Sequence, residues 1–207
     1  MSNALWQEIV QRGLRLDRRQ ARLFLCACVR RLRRPEQASF REAIDLAERY
    51  VEGQATVEAL RSMRFTYRYR FTHPAWILLW PDDSDPHEMV QRGLVWLEDY
   101  DRSPTERQAR LHLLADLVVP PGLRPDPAWL TWADGTIPRL AAALYHERNY
   151  ADLPILADAL EEAGCPPNVW LEHAREPRLH CHGCWLLEAL RQREGLAGIS
   201  DWVGFSR

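Results

Sequence analysis

Lysine is absent from this chain, and all 27 of its basic residues are arginine. Whatever cationic recognition the protein performs therefore rests on planar, forked guanidinium groups rather than on ammonium point charges. A GC-rich coding sequence is the plainer source of such a bias, so arginine abundance alone does not point to phosphate. Long apolar runs are also missing. The longest, "PAWILLWP" at 74–81, is closed by proline at both ends and falls far short of the roughly 18 apolar residues a membrane span needs. The opening "MSNALWQEIVQRG" has neither the basic start nor the apolar core of an export signal. Five cysteines cannot all pair, which excludes a complete disulfide framework and leaves cytoplasmic thiols or metal ligands as the expectation. No glycine-rich phosphate loop, G-x-S-x-G elbow or H-E-x-x-H stretch occurs, so the common signatures of nucleotide, acyl-transfer and metalloprotease chemistry are lacking.

The residues present are those of an ordinary folded protein. Hydrophobic side chains make up 46% and charged ones 27% of 207 residues, and the formal net charge is −2. That supports one sizeable core, or two smaller lobes. Helical periodicity dominates. The stretch 17–34, "DRRQARLFLCACVRRLRR", has Asp17 as a plausible N-cap, an apolar centre and basic ends, and stops before Pro35. Phe40, Ile44, Ala47 and Val51 share one face of a second helix that ends at Gly53. Shorter helices are predicted over 56–64 and 86–100. "SPTE" at 103–106 reads as a helix start, with Ser103 capping, Pro104 in the first position and Glu106 reaching back. Further helices are predicted over 136–148, 153–164, 168–173 and 184–193. Only "FTYRYRFT" at 65–72 alternates like a strand, and with no partner strand it is read as extended chain or irregular helix. The expected fold is all-α, an irregular multi-helix bundle of about eight to ten helices joined by short loops. The chain is read as a single domain, 1–207, or as two lobes, 1–100 and 101–207, with turn-rich breaks at 81–87 and 119–127.

Residues 165–184, "CPPNVWLEHAREPRLHCHGC", hold three of the five cysteines and three of the seven histidines. Cys165, His173, His180 and Cys184 make a Cys2His2 set with spacings x7, x6 and x3, the donor types that tetrahedral zinc favours. Cys181 can substitute through the "CHGC" knuckle. Such a clip would pin helix ends around a proline-rich turn and add to folding free energy. Two alternatives stay open. Cys165 can be a small buried residue beside an unliganded loop, or Cys181-x-x-Cys184 can be redox-active at a helix start, where the dipole lowers a thiol's pKa. Cys26 and Cys28 point to different helix faces and read as buried small residues. Asp158, Glu161 and Glu162 in "ADALEEAG" read as a solvated face.

"DPAWLTWADGTIPRLAAALYHERNYADLPILADALEEAGC", together with the His and Cys spacing through "GCWLLEAL", resembles the C-terminal block of a large family of uncharacterised bacterial proteins expanded in planctomycetes. "RLFLCACVRRL" and "REAIDLAERYVEG" resemble that family's N-terminal block more loosely. The blocks span 20–55 and 105–193. The resemblance implies no activity. It implies that Cys165, His173, His180, Cys184 and Trp185 stand in a recurring pattern, and it favours His180 over Cys181 as a ligand. The middle segment, 56–104, departs most.

Arginine supplies the remaining functional feature. Nine arginines crowd residues 12–34 against one acid, and Arg64, Arg68 and Arg70 are interleaved with Phe65, Tyr67, Tyr69 and Phe71. Guanidinium for phosphate with aromatics for base stacking is how single strands are held, which makes Arg30, Arg31, Arg33, Arg34, Arg64, Arg68, Arg70, Tyr67 and Tyr69 candidates for nucleic-acid binding. With nine tryptophans and no catalytic signature, the leading expectation is different. It is a cytoplasmic, non-enzymatic module, clipped by structural zinc, that binds another protein. Nucleic-acid binding comes second, and a thiol or zinc enzyme acting through Cys181 and Cys184 third.

Overall fold

A helix whose centre is apolar on every face has to sit inside a core, and Arg18–Arg30 (α1), apolar throughout Leu23–Val29, does. The computed structural model describes residues 7, 16–32, 37–66, 75–79 and 85–191, and among them every regular element is helical. Ten consecutive residues of α1, Gln20 to Val29, are buried. Asp17 caps it through a reciprocal box, its carboxylate accepting from Gln20 N at 2.7 Å while Gln20 Oε1 accepts from Asp17 N at 3.1 Å. The two polar side chains carried into the core are satisfied there, as burial demands. Gln20 donates to the Leu117 carbonyl at 3.1 Å. Arg22 donates to the Leu78 carbonyl at 2.5 Å and lies over the Tyr50 ring.

The described chain falls into two compact units. One comprises the residues up to Val118 together with Arg178–Gly183, and the other Val119–Pro177 together with the chain from Cys184. In the first unit α1 is surrounded by Gln37–Val51 (α2), Ala75–Leu78 (α4), Pro86–Tyr100 (α5) and Pro104–Leu117 (α6), and Val57–Thr66 (α3) lies on α2. The helix predicted over 56–64 therefore runs on through Phe65 and Thr66, the first two residues of the alternating stretch, which are helical rather than extended. Residues 67–72 lie outside the described residues. Ser103 caps α6 as predicted, accepting from Glu106 N at 3.2 Å. The Glu106 carboxylate does not reach back, however. Arg31 takes it in a two-pronged pair at 2.5 and 3.0 Å, and a bidentate ion pair outweighs one capping hydrogen bond.

The second unit is built on Thr136–Glu147 (α8), with Pro127–Thr131 (α7), Leu153–Glu162 (α9) and Trp185–Leu190 (α11) against it and Val169–Arg175 (α10) against α9 and α11. Its core includes a row of edge-to-face aromatics, Trp129 on Trp170 at 5.7 Å and Trp170 on Trp185 at 5.3 Å, the arrangement that aromatic quadrupoles favour. His173 continues the row, 4.5 Å from the Trp185 ring. The carboxylates of Asp158 and Glu161, expected on a solvated face, both accept from Arg175, at 2.8 and 2.6 Å, so this face also fastens α9 to α10. Among the described residues no helix is long and apolar enough to cross a membrane.

Candidate metal centre

The helix α6 places an acid where its apolar stripe calls for a leucine. Ala109, Leu113 and Asp116 follow one another at helical spacing, and Asp116 is completely buried. A buried carboxylate requires partners, and the Arg178–Gly183 segment of the same unit supplies them. His180 Nδ1 lies 2.8 Å from Asp116 Oδ1, and the Cys181 backbone N–H donates to Asp116 Oδ2 at 2.8 Å. The His180 side chain is only 5% exposed. The segment is anchored by Leu179 and Cys181 against the first unit's core and by His182, whose Nε2 is 3.5 Å from a Glu52 carboxylate that also binds Arg19. It closes on Gly183, whose φ of +96° suits glycine and whose Cα faces Leu23 and Leu117 with no room for a Cβ.

The second unit holds a matching pair. His173, on α10, is buried among Trp170 and Trp185, and its Nε2 lies 3.3 Å from Sγ of Cys184, the residue that opens α11. Both side chains are buried. A thiol beside an imidazole suits metal ligation or proton exchange, whereas a buried thiol alone is inert. Taken by type, Asp116 and His180 of the first unit and His173 and Cys184 of the second form a group of candidate metal donors, one carboxylate, two imidazoles and one thiol.

Three of the four residues predicted as ligands, His173, His180 and Cys184, belong to this group, and the fourth, Cys165, does not. The helix α9 ends in a Schellman motif. Gly164, at φ +87°, donates its N–H to the Glu161 carbonyl, and the Cys165 N–H returns to the Leu160 carbonyl at 2.9 Å. In that motif the residue after the glycine turns inward to cover the helix end. Cys165 does so, packed in the second unit's core with its Sγ near the Pro166 carbonyl and Asn168 Oδ1. Burial, opposed by the Asn168 hydrogen bond, raises its thiol pKa. Cys181, the expected substitute, contributes its backbone N–H and buries its sulfur near the Leu113 carbonyl. Cys26 and Cys28 are buried core residues, as read from their helix positions, and burial pushes the Cys28 thiol up to about 12. Asp116 escaped the sequence reading, although an acid at a core position of "LHLLADLVV" is a signal that could have found it.

Of the arginines proposed for nucleic acid, Arg30 grips Glu48 at 2.6 Å and Asp45 at 3.1 Å. Arg31 holds Glu106. Both therefore answer carboxylates within the chain, and a phosphate would have to displace these. Arg64 is half-buried on α3. Arg33, Arg34, Tyr67, Arg68, Tyr69 and Arg70 lie outside the described residues. Comparison with protein-family models, with curated proteins and with solved structures yields no match, so the chemistry of the residues themselves has to carry the functional reading.

Proposed function

We propose that the Asp116–His180 pair of the first unit and the His173–Cys184 pair of the second serve one structural metal ion, and that the ion is zinc. The observation that carries this reading is a juxtaposition along the chain. Two buried pairs of ligand type are joined through His180 and Cys184, with only Cys181, His182 and Gly183 between them. Four residue steps span at most about 14 Å, and the turn at His182 and Gly183 shortens that further. Imidazole nitrogen with thiolate sulfur and carboxylate oxygen suits zinc better than magnesium or calcium, which prefer all-oxygen sites. Burial of the donors supports a structural role, because a substrate would need a path to the ion.

On this reading the protein is a non-enzymatic helical module that works by binding another protein, in a reducing, cytoplasmic setting that suits its five free cysteines. It is then also a member of the bacterial family whose C-terminal pattern it resembles. Metal analysis of protein purified without added metal is the test. About one zinc per chain is expected for a closed structural site, and less than about a tenth of an equivalent would remove the reading.

A further inference from the structure

The two pairs differ in length, and the difference sorts their members. Two donors bound to one tetrahedral zinc at about 2.0–2.3 Å stand about 3.6 Å apart when they are nitrogen and sulfur, and about 3.4 Å apart when nitrogen and oxygen. His173 Nε2 and Cys184 Sγ, at 3.3 Å, are close to the separation of two donors on one ion. His180 Nδ1 and Asp116 Oδ1, at 2.8 Å, are too close for that and sit at the length of a charge-assisted hydrogen bond. An ionised carboxylate can only accept, so Nδ1 is the donor and carries the hydrogen, which leaves the lone pair of the neutral ring on Nε2. The second carboxylate oxygen accepts from Cys181 N at 2.8 Å. Asp116 is thus held by two successive residues of one segment and cannot rotate toward an ion without breaking one of these bonds.

We infer that Asp116 does not bind the metal but positions His180, taking the hydrogen of Nδ1 so that Nε2 faces the ion. The inference rests on the metal reading above and narrows its protein donors to His173, His180 and Cys184. A carboxylate behind a ligating imidazole fixes its tautomer and orientation and raises its basicity, and removing such a partner commonly costs about 10–100-fold in metal affinity. This gives a physical reason for an acid at a core position of α6, where an apolar side chain would otherwise pack.

The deciding experiment is a long-range proton–nitrogen NMR spectrum of the zinc-loaded, nitrogen-15-labelled full chain, which shows which ring nitrogen of His180 carries hydrogen. Hydrogen on Nδ1 with a metal-shifted Nε2 is expected, and a metal-bound Nδ1 overturns the inference. As a second measurement, Asp116→Asn keeps an acceptor oxygen for His180. It should retain about one metal per chain while losing about 10–100-fold in affinity. The ligand-field and thiolate-to-metal bands of its cobalt(II) form should match those of the unaltered protein. A changed ligand-field pattern would make Asp116 a ligand after all. If Asp116→Asn fails to fold, the His180 nitrogen assignment in the unaltered protein decides alone. Unaltered protein that binds neither zinc nor cobalt overturns the metal reading itself, which separates that failure from this one.

Discussion

At the scale of single residues, position along the backbone outweighs chemical type. Cys165 and Cys184 are both buried cysteines within twenty residues of one another, yet only Cys184 lies beside an imidazole. Cys165 occupies the inward-turned place after Gly164, where a small apolar side chain is wanted. The two should therefore separate experimentally. Cys184→Ser is expected to abolish zinc binding. Cys165→Ser should keep the full metal stoichiometry and lose only the roughly 1–3 kcal/mol that goes with burying a hydroxyl, as read from metal content and a urea midpoint measured side by side. Equal loss of metal in both variants would return Cys165 to the ligand set. The sequence made His173, His180 and Cys184 legible because imidazole and thiol are conspicuous types at ligand spacing. Asp116 was not legible as the neighbour of His180, because 64 residues separate the two and no local pattern reports a contact at that range.

Among the elements, helix ends do much of the positioning. The helices α2 and α9 both terminate in Schellman motifs, on Gly53 and Gly164, and α5 is closed by Arg110, whose guanidinium donates to the Leu97 and Asp101 carbonyls. Basic groups at helix C-termini answer both the exposed carbonyls and the macrodipole. Gly183 is a tighter case. At Gly164 a Cβ would meet nothing within 4 Å, whereas at Gly183 it would stand 2.6 Å from Leu23 Cδ1 and 2.8 Å from Leu117 Cδ2. Gly164→Ala should therefore cost about 1 kcal/mol, the strain of a positive φ. Gly183→Ala adds overpacking of about 1–3 kcal/mol to a similar strain, a difference that chemical denaturation resolves. Equal costs would mean that the Arg178–Gly183 segment does not rest closely on α1 and α6. The glycines themselves could be read as turn residues, but the crowding at Gly183 comes from leucines 160 and 66 positions earlier in the chain.

At the scale of the whole molecule, acidic and basic residues are nearly equal in number, and several of them pair. Arg19, Arg30 and Arg31 each meet a carboxylate distant in sequence, Glu52, Glu48 and Glu106, so a basic run in the sequence becomes part of the protein's internal fastening. A metal ion bound only by the folded chain adds stability by mass action, about 4 kcal/mol when free metal stands a thousandfold above its dissociation constant. Chelation should accordingly lower the thermal midpoint, and restoring zinc should recover it. A midpoint indifferent to chelator, with metal demonstrably removed, would contradict a structural role. By itself the sequence determined the longer helices, the Asp17 and Ser103 caps and the ends at Gly53 and Gly164, because 3.6-residue periodicity and capping chemistry act over a few residues; the short helices α4 and α7 carry too few turns to show that period. It also determined that thiol and imidazole cluster near the C-terminal end of the described chain. Only the tertiary structure decided that Cys165 turns into the core, that Arg30 and Arg31 are engaged by acids, and that a buried aspartate stands behind His180. Each of these depends on which side chains meet across tens of residues, and burial then makes the meeting costly to leave unpaired.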